Sequence, residues 1–301
     1  MVREMMFGSK DEFEYFECTQ CGCLQIKEYI NDLAKYYPEN YYSYKLRKDP
    51  KKNPVRTFLR RQRAKYCLFG KNELWPLRSN KYSSFNWFKK SKVKFEFAIL
   101  DIGCGVGKLL IRMQKNGFSN LTGVDPFIKE SIFYKNGVKV FKKNLFELEG
   151  RFDFIMAHHS LEHMPQPLNV FKKLYNLLKP HRYALIRIPL ASSFAWRHYG
   201  INWVQLDAPR HFYLHTVKSI QLLSKQVGFK IEDIEYDSTK FQFLGSELYL
   251  REIPLKYGSR NLENHRSSVF SKEQIEAFKE KAIELNKKND GDQACFYLYK
   301  N

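Results

Sequence analysis

Seven consecutive residues, Asp101-Ile102-Gly103-Cys104-Gly105-Val106-Gly107, constrain this chain more than any other stretch. An apolar run (Phe97, Ala98, Ile99, Leu100) precedes them and a helical pattern (Leu109, Leu110, Met113) follows. The order is strand, tight loop, helix. Glycines in such a loop let backbone approach a ligand, and the helix start offers uncommitted N–H groups. Two nucleotide-binding loops fail on spacing. A dinucleotide fingerprint needs glycine where Lys108 stands, and a G-x-x-x-x-G-K-[ST] loop needs glycine at Ile102 and a hydroxyl at Leu109. What remains is D-x-G-x-G-x-G at the end of a first strand.

Strands and helices alternate downstream. A helix over about 106–117 leads to a second strand, 121–125, ending in Asp125. An acid at that tip accepts hydrogen bonds from ribose hydroxyls, for several nucleoside ligands alike. A third strand (138–141) leads to Asn144-Leu145-Phe146, and a fourth (152–157) to His158-His159-Ser160-Leu161-Glu162-His163. Pro167 opens a helix over 167–179 with an apolar stripe at Leu168, Phe171, Leu174, Tyr175 and Leu178. Strands follow at 183–188 and 229–236. Ser271-Lys272-Glu273-Gln274 reads as a capping box before another helix, and 294–299 alternates like a seventh, antiparallel strand. The predicted fold is α/β: a doubly wound, Rossmann-like, seven-stranded sheet with ligands at the carboxyl ends of its strands. Residues 1–95 form an N-terminal accessory region, 96–301 the main domain, and 238–293 an insertion in which Phe241, Phe243, Glu247 and Tyr249 are candidates to face a substrate.

The D-x-G-x-G-x-G loop resembles motif I of the class I S-adenosylmethionine (SAM) dependent methyltransferases. The run 99–229 is similar to the methyltransferase type common in bacterial cell-surface sugar and natural-product pathways. That loop carries the likeness, together with Phe152-Asp153-Phe154-Ile155, His159-Ser160-Leu161-Glu162-His163 and Asp207-Ala208-Pro209-Arg210-His211-Phe212. The resemblance implies SAM as cofactor, held by Asp101, Gly103, Cys104, Gly105, Gly107, Asp125, Pro126, Asn144, Leu145 and His158. One departure stands out. After Leu178-Lys179-Pro180 the family usually has two glycines, where this chain has His181-Arg182. A left-handed residue at His181 would cost about 1 kcal/mol.

Methyl transfer from a sulfonium mainly requires donor and acceptor held in line, and an oxygen or carbon acceptor also benefits from a general base. Histidine titrates near neutral pH, which makes His159, His163 and His211 the candidates. Glu162-His163 alternatively caps the fourth-strand loop without moving a proton. Arg210 either binds an acidic group of the acceptor or anchors its own loop. The expected acceptor is a small molecule, a sugar or nucleotide-linked sugar, and an anionic one would suit the charge.

That charge is +19 overall, and 45–94 carries 17 Lys and Arg against Asp49 and Glu73. The segment reads as a solvated or substrate-attracting face, a weak membrane-surface contact, or a nucleic-acid footprint. The fourth-strand loop lacks the Pro-Pro-aromatic turn of enzymes that methylate base amines, which argues against nucleic acid. The alternative function is a non-catalytic protein that binds RNA or a membrane surface through 45–94. Near the N-terminus Cys18-Thr19-Gln20-Cys21-Gly22-Cys23 resembles the second knuckle of a four-cysteine zinc site. Structural zinc wants two C-x₂-C pairs, and only Cys18 and Cys21 have the spacing. The expectation is a truncated N-terminus with a zinc-free remnant and no resident metal, although Cys23 or a histidine could complete a site. No apolar run approaches 18 residues, the 25 Phe and 19 Tyr argue against disorder, and Met1-Val2-Arg3-Glu4 lacks a signal-peptide core. A cytoplasmic enzyme with reduced thiols is expected.

Overall fold

The computed structural model describes residues 1–30, 33–37, 54–70, 83–256 and 269–301. Seven strands form the main sheet: β1 (Ala98–Ile102), β2 (Asn120–Val124), β3 (Lys139–Phe141), β4 (Phe152–His158), β5 (Leu178–Pro189), β6 (Phe229–Tyr236) and β7 (Gln293–Lys300). Their order is β6-β7-β5-β4-β1-β2-β3, and a two-residue strand, Ile132–Phe133, adds an eighth at the β3 edge. β3, β2, β1, β4 and β5 run parallel, while β7 lies antiparallel to β5 and β6. The expected doubly wound sheet is present.

Eight α-helices occur among the described residues: α1 (Pro54–Phe69), α2 (Ser83–Lys90), α3 (Lys108–Lys115), α4 (Pro167–Leu177), α5 (Phe194–Tyr199), α6 (Val217–Val227), α7 (Phe241–Leu250) and α8 (Lys272–Lys287). Strands covered on both faces must be apolar on both, and β4 shows the parity. Phe154 and Met156 join α1, α2 and α3 in one buried cluster, with Phe88, Leu110 and Met113. Ile155 and Ala157 join α4 and α6 in the other, with Phe171, Leu174 and Ile220. α1 and α2 thus belong to the sheet core, since Ala64, Leu68, Phe85 and Phe88 complete one side of it.

Local details correct several expected boundaries. α3 starts at Lys108 because Gly107 is left-handed (φ 73°), and it ends at an Asn116 cap. α4 gives way directly to β5 at Leu178, with a register break before Tyr183. His181 within that break has φ 57°, the strained conformation its missing glycine implied. Ser271 and Gln274 form the predicted capping box on α8. The insertion packs into an apolar cluster shared with earlier parts of the chain, where Phe243, Ala282 and Leu285 join Trp203, Tyr199 and Leu24, so Phe243 is a core residue. Tyr249 is buried in a neighbouring cluster with Met5 and Leu248, and Glu247 accepts a 3.1 Å bond from Tyr199 Oη. Residues 257–268 of the insertion, and 45–53 and 71–82 of the basic segment, lie outside the described residues. Among the described residues no helix is long and apolar enough to cross a membrane.

Trp203 is fully buried and its Nε1 donates to Asp292 Oδ2 at 3.2 Å. Burial pushes the Asp292 carboxyl up to about 6, against the pull of Trp203 and Ser238. The folded pKa is raised, so this group favours the fold at low pH and that contribution is lost as pH rises from about 4 through about 6, up to about 3 kcal/mol. Asp292→Asn should remove that component. Urea unfolding followed by Trp fluorescence at pH 5 and pH 7.5 should show a smaller loss of stability in the variant than in the parent.

Candidate active site

β1 delivers the glycine loop to the carboxyl edge of the sheet. Gly103 has φ 70°, its N–H bonds Val124 O at 2.9 Å, and a Cβ there would strike the Ser160 side chain. A Cβ on Gly107 would come within 2.8 Å of Val140 Cγ2. The loop is thus pressed between the ends of β2, β3 and β4 and tolerates no side chain at these two positions. Asp125, at the tip of β2, ties the loop down: its Oδ2 accepts the Gly105 N–H and its Oδ1 the Phe127 N–H, both at 2.9 Å. Burial raises its pKa, opposed by those two N–H groups. Asp101 behind it is pushed up to about 8 by burial and by the charge of Asp125.

These elements border a cavity of about 360 Å³ lined by Tyr37, Ile102, Gly103, Val124, Asp125, Pro126, Phe127, Lys143, Asn144, Leu145, Phe146, His159, Ser160, His163, Met164 and Pro165. Seven of the residues singled out in the sequence therefore meet there: Gly103, Asp125, Pro126, Asn144, Leu145, His159 and His163. Asp101, Cys104, Gly105 and Gly107 are absent from the wall and shape the loop behind it. Asn144 acts through its backbone shape, because its Oδ1 caps the following turn by accepting the Phe146 and Glu147 N–H groups. Tyr37 and Phe127 were not anticipated as partners; their rings stack 5.2 Å apart and the Tyr37 hydroxyl lies 3.2 Å from His163 Nδ1.

His158 does not reach the cavity. Its ring packs 4.6 Å from Trp87 on the opposite face, where burial and Arg187 lower its pKa to about 3. The three candidate bases separate by their hydrogen bonds. Arg187 Nη1 donates to His159 Nε2 at 2.6 Å, so the proton sits on Nδ1, 3.4 Å from Glu162 Oε1. Its one lone pair is thereby committed to Arg187, and Nδ1–H can only donate. His163 Nδ1 donates to Arg210 O and His211 Nδ1 to Gln205 O, each at 2.7 Å, because a carbonyl can only accept. Each keeps a lone pair on Nε2. His211 is buried beside His163 (ring centroids 4.7 Å apart) and away from the wall, and burial and His163 lower its pKa to about 4. Of the three, His163 alone combines a place on the wall with a lone pair that no hydrogen bond uses among the described residues.

Glu162 is buried, with neither carboxylate oxygen in a hydrogen bond. Burial acts to raise its pKa, but His159, His163 and His211 together hold it down at about 2. Arg210 is fully buried and anchors its loop. It bonds Asp207 through Nε (3.0 Å) and Nη2 (2.5 Å), Glu4 through Nη2 (2.9 Å) and Tyr36 O through Nη1 (3.3 Å). It is not available to an acidic acceptor. The Cys18–Cys23 turn closes with Cys18 N–H to Cys23 O at 2.9 Å, and Cys23 Sγ turns toward His215 Nδ1 at 3.8 Å.

The profile of a family described as a methyltransferase domain matches residues 58–234. The chain belongs to that family. It is a SAM-dependent methyltransferase, and SAM is its cofactor. Ubiquinone biosynthesis O-methyltransferase of Pseudomonas aeruginosa is 28% identical over 182 residues, covering 54% of this chain and 77% of that protein. EEF1A lysine methyltransferase 2 of mouse is 38% identical over 53 residues, 18% of this chain and 22% of that one. A solved SAM-dependent methyltransferase from Mesorhizobium loti aligns at 16% identity with a TM-score of 0.42, covering 67% and 90% of the two chains.

The residues present fit the cofactor. Each Asp125 oxygen accepts one backbone N–H and retains acceptor capacity for a ribose hydroxyl, and the glycine loop leaves backbone, not side chains, on that side. Asp125→Asn should weaken SAM binding at least tenfold, about 1.4 kcal/mol, in calorimetry, with a melting temperature close to the parent's. Arg210→Met should lower stability by about 3–5 kcal/mol in denaturant unfolding, because Glu4 and Asp207 would keep buried charges without their partner.

Proposed function

We propose that the enzyme O-methylates a small-molecule hydroxyl, on a sugar or nucleotide-linked sugar, presented at the His163 end of the cavity. The position and tautomer of His163 carry this reading. Its Nδ1–H is fixed by a backbone carbonyl, which leaves Nε2 as the basic atom on a wall that also holds Gly103 and Asp125. In the transfer the acceptor oxygen bonds the methyl carbon as the C–S bond breaks and its electron pair stays on sulfur. The hydroxyl proton leaves at His163, and the products are the methyl ether and S-adenosylhomocysteine.

A second reading is favoured by the relatives that align over most of their length, whose name is ubiquinone biosynthesis O-methyltransferase: the acceptor then belongs to that pathway. The basic segment 45–94 would draw an anionic acceptor or rest weakly on a membrane surface, and nucleic acid is not the proposed partner. The Cys18–Cys23 turn is proposed as a knuckle remnant without its own zinc, serving as a clasp, since Thr216 Oγ1 donates to Cys21 O at 2.6 Å. A cytoplasmic setting is proposed with it.

Incubation with methyl-labelled SAM and fractionated metabolites, read by mass spectrometry, should label a hydroxyl-bearing sugar; label on an amine or carbon acceptor would overturn the reading. On the acceptor so found, His163→Gln should lower kcat at least about 100-fold while SAM affinity stays within a few-fold. His159→Gln should instead disturb stability as well, because His159 links Arg187 to Glu162.

A further inference from the structure

Resting on that reading of the cavity, we infer that Glu162, His163 and His211 hold a divalent first-row transition-metal ion that receives the acceptor oxygen. One donor atom from each of the three lies within 4.8 Å of the others, the one such group of three found among the described residues. Three observations point to an ion. The Glu162 carboxylate is buried with both oxygens lacking a hydrogen bond, an arrangement that costs free energy unless a positive partner completes it. Both imidazoles donate Nδ1–H to a backbone carbonyl, the arrangement that presents Nε2 of a neutral ring to a metal. His211 Nε2 also faces carboxylate oxygens, Asp207 Oδ2 at 3.8 Å and Glu162 Oε1 at 4.0 Å, with a lone pair where a cation belongs.

Two imidazoles and one carboxylate suit Zn²⁺, Mn²⁺, Fe²⁺ or Co²⁺ and leave coordination positions open. Metal–ligand bonds of about 2.0–2.2 Å place neighbouring donors roughly 3–3.5 Å apart, so the triad, now within 4.8 Å, would close by up to about 1.3–1.8 Å. His163 lines the cavity and so would put the open positions beside the acceptor. With its Nε2 on the ion, His163 would be a ligand in place of the base: the acceptor oxygen would bind the metal, its proton would pass to water, and the resulting alkoxide would attack the methyl carbon. His159 becomes a positioning residue that orients Glu162.

The test titrates metal-stripped full-length protein with Co²⁺, following its visible absorption bands, and with Zn²⁺ by calorimetry. One ion per chain is expected. Glu162→Gln and His211→Gln should weaken it at least about 100-fold while SAM affinity, measured on the same samples, is retained. Cys18→Ser should bind as the parent does. Absence of Co²⁺ binding at millimolar metal would overturn the proposal, and so would binding that survives Glu162→Gln or is lost in Cys18→Ser. If Glu162→Gln fails to fold, His211→Gln and the parent's cobalt spectrum decide, since bands from cysteine ligation would place the ion at the knuckle. The two readings fail separately. Hydroxyl methylation that is unaffected by metal stripping refutes the ion alone, whereas an ion bound as described with label on an amine refutes the acceptor assignment alone.

Discussion

A single buried guanidinium holds together the parts that form the His163 end of the cavity. Arg210 sits between Glu4 near the N-terminus and Asp207 from its own loop, and it also bonds the carbonyl of Tyr36. Its own carbonyl fixes the His163 ring. The next loop residue but one, Phe212, donates its N–H to Glu162 O at 2.8 Å, which joins that loop to the end of β4. A buried cation of this kind is stable only with its carboxylates in place, so three chain segments far apart in sequence are obliged to meet at one point. The N-terminal region is for this reason part of the site and not an appendage: Tyr37 follows directly from the anchored Tyr36.

The cofactor end depends on a simpler constraint. Parallel strands end at one edge, and the chain must turn sharply there to enter α3. Left-handed glycines permit the turn, and Asp125 fixes it by accepting the Gly105 N–H while the Phe127 N–H holds the carboxylate in place. Nothing in that half needs a residue more than about two turns of chain from its own strand. This is why the glycine loop and Asp125 could be read from the order of strand, turn and helix, and the capping box on α8 from its spacing, while Pro126, Asn144 and Leu145 came with the family resemblance.

The rest was less legible because it depends on parity and on distant partners. His158 shows the first. Phe154, Met156 and His158 alternate to one face of β4, the face filled by α2, so its ring meets Trp87 and not the cavity. That parity could have been counted from the strand. The turn at His159 (φ 49°) then sends the following residues the other way. Distant partners decide the remainder: three histidines of equal promise in sequence differ only in who bonds them. Arg187 occupies His159 and two carbonyls fix His163 and His211, and spacing specifies none of these contacts. Tyr37 escaped for the same reason, being separated from Phe127 by 90 residues of chain.

The two halves of the cavity are therefore built by different rules. The donor half is local, so its residues follow from the order of strand, turn and helix and carry the family likeness. The acceptor half is assembled from the β4 loop, the 207–212 loop and the N-terminal segment, joined by Arg210 and surrounding an unbonded carboxylate. A change in any of those three segments alters the surroundings of His163 without moving Asp125 or the glycine loop. The two ends of the cavity can then be altered separately, and the burial of Glu162 among three imidazoles is the feature that any proposal for chemistry at the His163 end has to satisfy.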